Sequence, residues 1–352
     1  MPDPSPVILG IESSCDETAA AVVGSGRRVL SNVIATQHDL HEEYAGVVPE
    51  IASRAHLERI LPVLRDAMRE AEVDYSDLDA IAVGNRPGLI GSLLVAVSAA
   101  KALAWSLGKP LIGIDHVQAH LYAGSLEALP VEYPALGLVV SGGHTSLFLV
   151  HSPLDVTLLG RTIDDAVGEA YDKAAAILEI GYPGGPRIDC IAQVGDENAH
   201  DLPVSALDPD SLDFSFSGLK TALLYAVRGK PMGRGADAHF ERDASGLSRK
   251  EKADFAASFQ KAAVAAVMLK IRRALKRHAV ESLLVGGGVS ANSRLRQELT
   301  ELGDLRQLDL RLPAIEYCLD NAAMIAGLAA GRYRAGQFDD LTLAASPRTA
   351  TA

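Results

Sequence analysis

The chain has 352 residues, which points to two domains rather than one. With 48% hydrophobic and 22% charged residues, it is neither disordered nor fibrous. A formal net charge of −12 weakens any class that coats nucleic acid through its overall field and leaves RNA only a local basic strip.

Three widely spaced cysteines (Cys15, Cys190 and Cys318) form no CxxC pair, so no disulfide framework is expected and a reducing cytoplasm fits. The first residues lack the basic and apolar segments of a secretory signal. The apolar stretch 88–107 carries Lys101, serines and two glycines. It reads as a buried helix rather than a membrane span, so no membrane partner is expected.

In chain order, residues 7–11 run through a polar turn, 12–18, into 19–23, which predicts a hairpin. Glu12 and Asp16 flank its turn. They are candidate catalytic acids, holding a metal or positioning a nucleophile, or else residues of a solvated turn. Acidic neighbours raise the Cys15 thiol, so Cys15 is not read as a nucleophile. Residues 49–71 space Ile51, Leu57, Ile60, Leu61, Val63 and Leu64 between charges, as a helix does. A strand at 78–84 leads through Asn85-Arg86-Pro87-Gly88 to the long apolar helix. A second hairpin follows at 136–150, with Ser141-Gly142-Gly143-His144-Thr145 at its turn. The stretch 228–249 reads as a flexible surface insertion. Residues 254–278 form a long helix that ends basic (Lys270 to Arg277), which either complements the helix dipole or offers RNA a patch. A strand at 282–285, three glycines (Gly286, Gly287, Gly288) and a helix at 293–302 close the series, before a small, polar tail from 344 that is expected to fray.

A hairpin followed by strand, loop and helix thus occurs twice. This predicts an α/β fold of duplicated actin-like ATPase or sugar kinase (ribonuclease H-like) domains around a central cleft. The expected division is 1–112 with about 322–346 for the first domain, 113–321 for the second, and a tail at 347–352.

Several motifs carry chemistry. His116 and His120, at i and i+4, share a helix face and are close enough to bind one metal ion, although the same spacing suits a surface or capping pair. Val117 stands where a zincin has its glutamate, which counts against a metalloprotease. The glycines at 142–143 suit either an anion nest or a plain turn. The glycines at 286–288, ahead of Ser290, Asn292 and a helix start, suit a phosphate or nucleotide, or a tight connection. Asp164 and Asp165 read as the cap of the helix that follows them. Asp172 and Asp189 are candidates for ribose hydroxyls. Asp320 is either a helix cap or a third ligand for the histidine pair.

Jointly these segments resemble a known family. Gly10-Ile11-Glu12-Ser13-Ser14-Cys15-Asp16-Glu17-Thr18, Gly46-Val47-Val48-Pro49-Glu50, His116 to His120, Ser141 to Thr145, Asp172-Lys173 with Tyr182-Pro183-Gly184-Gly185, Phe216-Ser217-Gly218-Leu219-Lys220-Thr221, Gly286 to Asn292 and Cys318-Leu319-Asp320-Asn321 follow the order found in the bacterial TsaD (Gcp, YgjD) family of tRNA N6-adenosine threonylcarbamoyltransferases. The likeness spans about residues 7–340. Ser13 stands where Thr is common in the family, and the 228–249 stretch is longer and richer in glycine.

The resemblance implies transfer of a threonylcarbamoyl group from threonylcarbamoyl-AMP to N6 of adenosine 37 in tRNAs reading ANN codons, with release of AMP. It implies one divalent metal, iron(II) or alternatively zinc, on His116, His120 and Asp320. It implies substrate binding by Val140, Ser141, Gly142, Gly143, His144, Asp172, Gly185, Asp189 and Asn292. The implied partners are tRNA, a TsaB-like paralogue and a TsaE-like ATPase, and the implied location is the cytoplasm. The rival readings are an actin-like small-molecule kinase, a metalloprotease and a non-catalytic scaffold.

Overall fold

A computed structural model describes residues 5–41, 46–233, 239–240 and 242–349. Two five-stranded sheets share one topology. In the first, β1 (Val7–Glu12), β2 (Glu17–Gly24), β3 (Arg28–Thr36), β4 (Ala80–Arg86) and β5 (Leu111–Asp115) lie in the order β3-β2-β1-β4-β5. Its hairpin strands are antiparallel, and β1, β4 and β5 run parallel. In the second, β6 (Ala135–Val140), β7 (Thr145–Ser152), β8 (Asp155–Arg161), β9 (Ser282–Gly286) and β10 (Asp309–Arg311) repeat the pattern as β8-β7-β6-β9-β10. The duplication expected from the repeated hairpin is therefore present.

Alternation along each strand sends residues to opposite faces. On one face of the first sheet, Leu9, Ile11, Val22, Ile81 and Val83 pack under α2 (Pro49–Ala71) and α3 (Ile90–Leu107). On the other, Ile8, Ala19, Ala21, Ala80 and Ala82 meet α10 (Ala322–Arg334). Covered on both faces, β2 is buried along its whole length. The second sheet packs Leu136, Leu138, Val140, Leu283 and Val285 beneath α5 (Val167–Leu178), α7 (Ser217–Arg228), α8 (Arg249–Arg277) and α9 (Ser293–Arg306), with α6 (Gly184–Ala192) beside them. Its other face meets Val117 and Leu121 of α4 (His116–Ala123).

Helix α4 follows the first sheet but packs on the second, while α10 follows the second and packs on the first. The two helices also pack on each other. Ala119 and Ala123 of α4 face the α10 cluster, whereas Val117 and Leu121 face the second sheet. That division leaves His116 and His120 on a third face, at the seam between the halves.

Several expectations need amendment. The apolar α3 is long enough to cross a membrane by length and composition. Its apolar character is explained by packing: Leu93, Ala96, Val97, Ala100 and Ala104 are buried, while Leu94 and Trp105 are exposed. It is thus buried along one face, not all round. In α2, Leu57 and Leu61 are exposed and the buried stripe runs through Ala52, His56, Ile60, Val63 and Ala67. Helix α8 starts at Arg249, earlier than expected, because Ser248 and Glu251 form a capping box. Within 228–249, residues 234–238 and 241 lie outside the described residues. Met232 and His239 exchange backbone hydrogen bonds, and Ala244 is buried. Of the tail, 350–352 lie outside the described residues. The Ser346 amide donates to Asn85 O, and Thr349 Oγ1 donates to Asp115.

Candidate functional site

Asp115 ends β5 and starts α4 by accepting the Val117 and Gln118 amides at 3.0 and 3.3 Å. This cap places His116 and His120 in the first turns of α4, with ring centroids 4.5 Å apart and planes at 83°. Asp320 Oδ1 lies 3.4 Å from His116 Nε2 and 3.1 Å from His120 Nε2. One ligand atom from each residue lies within 4.8 Å of the others, so the cluster could hold a metal ion. Asn321 caps α10, accepting the Met324 amide at 3.0 Å, and Asp320 faces the histidines.

The electrostatics follow from burial and crowding. Burial works against a charge on His116, but the carboxylates of Asp320 and Glu12 hold its pKa well above the usual histidine range. Burial and then the His116 charge push His120 down. Burial would raise Asp320, yet the His116 charge and hydrogen bonds from both rings pull it well below the usual carboxylate range. His144 is pushed down to about 4, by burial and then by His116 and His120.

The cluster borders a cavity of about 660 Å³ walled by Ser14, Cys15, Asp16, Glu17, His116, Gly142, Gly143, His144, Asp172 and Asp320, among others. A second cavity of about 490 Å³ adjoins it and shares Gly142, Asp172, Gly288 and Leu319. Its wall adds Gly185, Asp189 and Asn292. Most of the substrate-binding candidates therefore converge on these two adjoining cavities. Val140 does not. It is wholly buried, and its carbonyl backs onto Gly287.

The 141–144 segment is a closed turn. Its Ser141 amide donates to His144 O at 2.7 Å, and the His144 amide donates to Ser141 Oγ at 3.1 Å. Gly142 and Gly143 have open space where a side chain would stand, on the cavity side. The glycines at 286–288 divide the work. A Cβ on Gly286 would run into the His120 backbone, and Gly287 has φ +92° against Val140 O. Gly288 lines both cavities. Two of the three serve close backbone packing around the cluster rather than an anion.

Asp172 accepts the Gly184 amide at 2.7 Å. Burial raises its pKa, and the Gly184 and Gly185 amides oppose that rise. Asp189 receives Ser293 Oγ at 2.7 Å and the Ser293 amide at 3.0 Å. Asn292 donates to Gln260 Oε1 at 2.7 Å, and Gln260 donates to Asp189 Oδ1 at 3.1 Å. Gln260 escaped the sequence reading. Its one signal is a buried amide among the apolar residues Ala256, Phe259 and Ala263 of α8.

Glu12 and Asp16 sit differently. Asp16 lines the larger cavity. Glu12 is wholly buried at the end of β1, with Oε2 3.1 Å from His116 Nδ1 and Oε1 accepting the Ser14 amide at 2.5 Å. Burial, then Asp16, raises the Cys15 thiol, as the acidic neighbours predict.

Two expectations are corrected. Asp164 and Asp165 do not cap α5, whose N-cap is Ala166 with no side-chain bond. Asp164 accepts from Ser215 Oγ and from the Phe216 and Ser217 amides at the start of α7, while Asp165 bridges Lys173 and Lys220. The basic end of α8 is not an open RNA patch along its whole length: Arg272, Lys276 and Arg277 are exposed, but Lys270 and Arg273 are engaged. Lys270 is buried and donates to Ala206 O and Ser211 O. Arg273 donates to carbonyls of the same loop, and Arg277 pairs with Asp210.

The comparisons with known proteins bear on this geometry. The family model for TsaD, tRNA N6-adenosine threonylcarbamoyltransferase, matches residues 28–327. The chain is 49% identical over 342 residues to the tRNA N6-adenosine threonylcarbamoyltransferase of Symbiobacterium thermophilum, covering 97% of this chain and 96% of that one. It is 48% identical over 354 residues to the protein of the same name from Rhodopirellula baltica, covering 97% of each. Among solved structures, HypF from T. kodakarensis matches 97% of this chain and 50% of its own, at 15% identity and TM-score 0.61. Component A of (R)-2-hydroxyglutaryl-CoA dehydratase from Acidaminococcus fermentans matches 94% of this chain and 100% of its own, at 14% identity and TM-score 0.51. These two likenesses concern the fold alone, that of actin-like ATPases and sugar kinases.

Proposed function

The chain belongs to the TsaD family of tRNA N6-adenosine threonylcarbamoyltransferases, and from that premise we propose that its two adjoining cavities hold threonylcarbamoyl-AMP and the target adenosine, with the His116–His120–Asp320 cluster on the wall of the larger. The enzyme is a transferase acting on tRNA. The observation that carries the reading of the site is the convergence of two imidazoles and a carboxylate, 200 residues apart in sequence, beside the turn at 141–144.

The donor set fits a divalent first-row metal. Two imidazole nitrogens and one carboxylate oxygen, with open positions beyond, suit iron(II), our first choice, and also zinc. A divalent ion there supplies Lewis acidity and a template for substrate oxygens. The remaining work falls to the chain. Asp172 and Asp189, the latter already accepting from Ser293 and Gln260, are our candidates for the ribose hydroxyls in the smaller cavity, with Gly185, Gly288 and Asn292 completing its wall. Asn292 spends its side chain on the α9 cap and on Gln260, so it shapes that wall rather than reaching out. The Ser141–His144 turn, with open space beside Gly142 and Gly143, lets the phosphate and carbonyl approach the backbone.

In the reaction, the adenosine N6 forms a bond to the carbamoyl carbon, the bond from that carbon to the AMP oxygen breaks, and N6 gives up a proton. Asp16, on the wall of the larger cavity, is the candidate acceptor. An anticodon loop can splay adenosine 37 into such a cleft. The finer assignments are position 37, tRNAs reading ANN codons, a cytoplasmic location, and a TsaB-like paralogue and a TsaE-like ATPase as partners.

The test supplies purified protein with threonylcarbamoyl-AMP and tRNA. AMP release and modified adenosine, read by nucleoside mass spectrometry, should rise together. AMP release with unmodified tRNA would contradict the reading.

A further inference from the structure

The geometry points to Glu12 as the residue that orients His116 for metal binding, a positioning residue that acts through the ring and does not touch substrate. This rests on the reading of His116, His120 and Asp320 as ligands.

Four observations converge. Glu12 is fully buried and lines neither cavity. A buried carboxylate is costly unless it is hydrogen-bonded, so its partners show what it does. Those partners are the Ser14 amide at 2.5 Å and His116 Nδ1 at 3.1 Å, with Ser14 Oγ also 3.2 Å from that nitrogen. An acceptor on Nδ1 fixes the ring so that Nε2 faces Asp320, as in carboxylate–histidine–metal arrangements. Finally, Gly84 on the adjacent strand β4 makes room for the carboxylate. A Cβ there would land on Glu12 Oε2, which accounts for a glycine in the interior of a strand. The support is one-sided. His120 Nδ1 is buried without a hydrogen-bond partner among the described residues, so His116 is the ring whose orientation is imposed.

The experiment measures Co(II) and Zn(II) affinity of chelator-stripped protein by competition with a chromophoric chelator, for wild type, Glu12→Ala, Glu12→Gln and Gly84→Ala. Glu12→Ala should weaken binding about 10- to 100-fold. Gly84→Ala should do the same with the carboxylate still in the chain, because the methyl displaces Oε2. Glu12→Gln keeps an acceptor oxygen and should fall between. Thermal unfolding of the stripped proteins identifies any variant that does not fold, and the folded ones decide the matter. In transfer assays the deficit should be large at limiting ion and much smaller at saturating ion, which loss of a substrate-touching acid would not produce. Wild-type affinity in folded Glu12→Ala and Gly84→Ala, or a deficit indifferent to ion concentration, overturns the inference. If the wild type itself takes up no ion, the metal reading falls, a result distinct from either.

Discussion

His144 shows how crowding at the residue scale sets a pH response. Burial, with His116 and His120 nearby, pushes it down to about 4, while in the unfolded chain it titrates near 6.5. As pH falls through 6.5, the unfolded chain takes up a proton that the folded protein refuses until near 4. His144 therefore costs stability progressively across that window, at most about 1.4 kcal/mol per pH unit. His56, lowered by burial, acts in the same direction. Urea unfolding of chelator-stripped His144→Gln between pH 6.5 and 4 should lose less stability than the wild type does. An unchanged slope would show that His144 titrates normally when folded. At this scale the i, i+4 spacing made His116 and His120 legible in the sequence. Asp320 was legible only as one of two alternatives, because nothing in local sequence says that Asn321 takes the cap. Glu12 looked like a solvated or catalytic acid because burial is a tertiary property; only β4, packed beside β1, reveals its enclosure.

At the scale of elements, the site depends on where helices begin. Asp115 starts α4 and Asn321 starts α10, and the cluster forms where these two starts meet at the seam. The hairpins and both strand–loop–helix units could be read from apolar runs and glycines. The roles of charged residues could not, since they are settled by elements far away in sequence. Asp164 serves α7 rather than the helix after it, and the basic end of α8 clamps the 206–211 loop. Burial and then Arg273 lower Lys270 to about 8, which marks a cation enclosed by carbonyls rather than offered to solvent. Lys270→Met should cost about 1 kcal/mol by removing one of the two donors on the Ala206 and Ser211 carbonyls, Arg273 remaining as the other. It should leave the salt dependence of tRNA binding unchanged. A weaker salt slope at unchanged stability would return Lys270 to the RNA surface.

For the whole molecule, duplication explains why a cleft exists. Two sheets of identical order are joined through helices that each pack on the opposite half, so their starts necessarily face one another across the seam. A −12 chain with Lys270 and Arg273 engaged internally leaves tRNA recognition to shape and to limited local charge. The central claim is that an ion on His116, His120 and Asp320 is required for transfer to tRNA. It is tested most directly by following modified adenosine by nucleoside mass spectrometry in wild type and His120→Ala, with elemental analysis of the same samples. The account predicts that the folded variant loses bound ion and product together, by about 100-fold or more in rate. Modification at the wild-type rate by a variant without bound ion would contradict it.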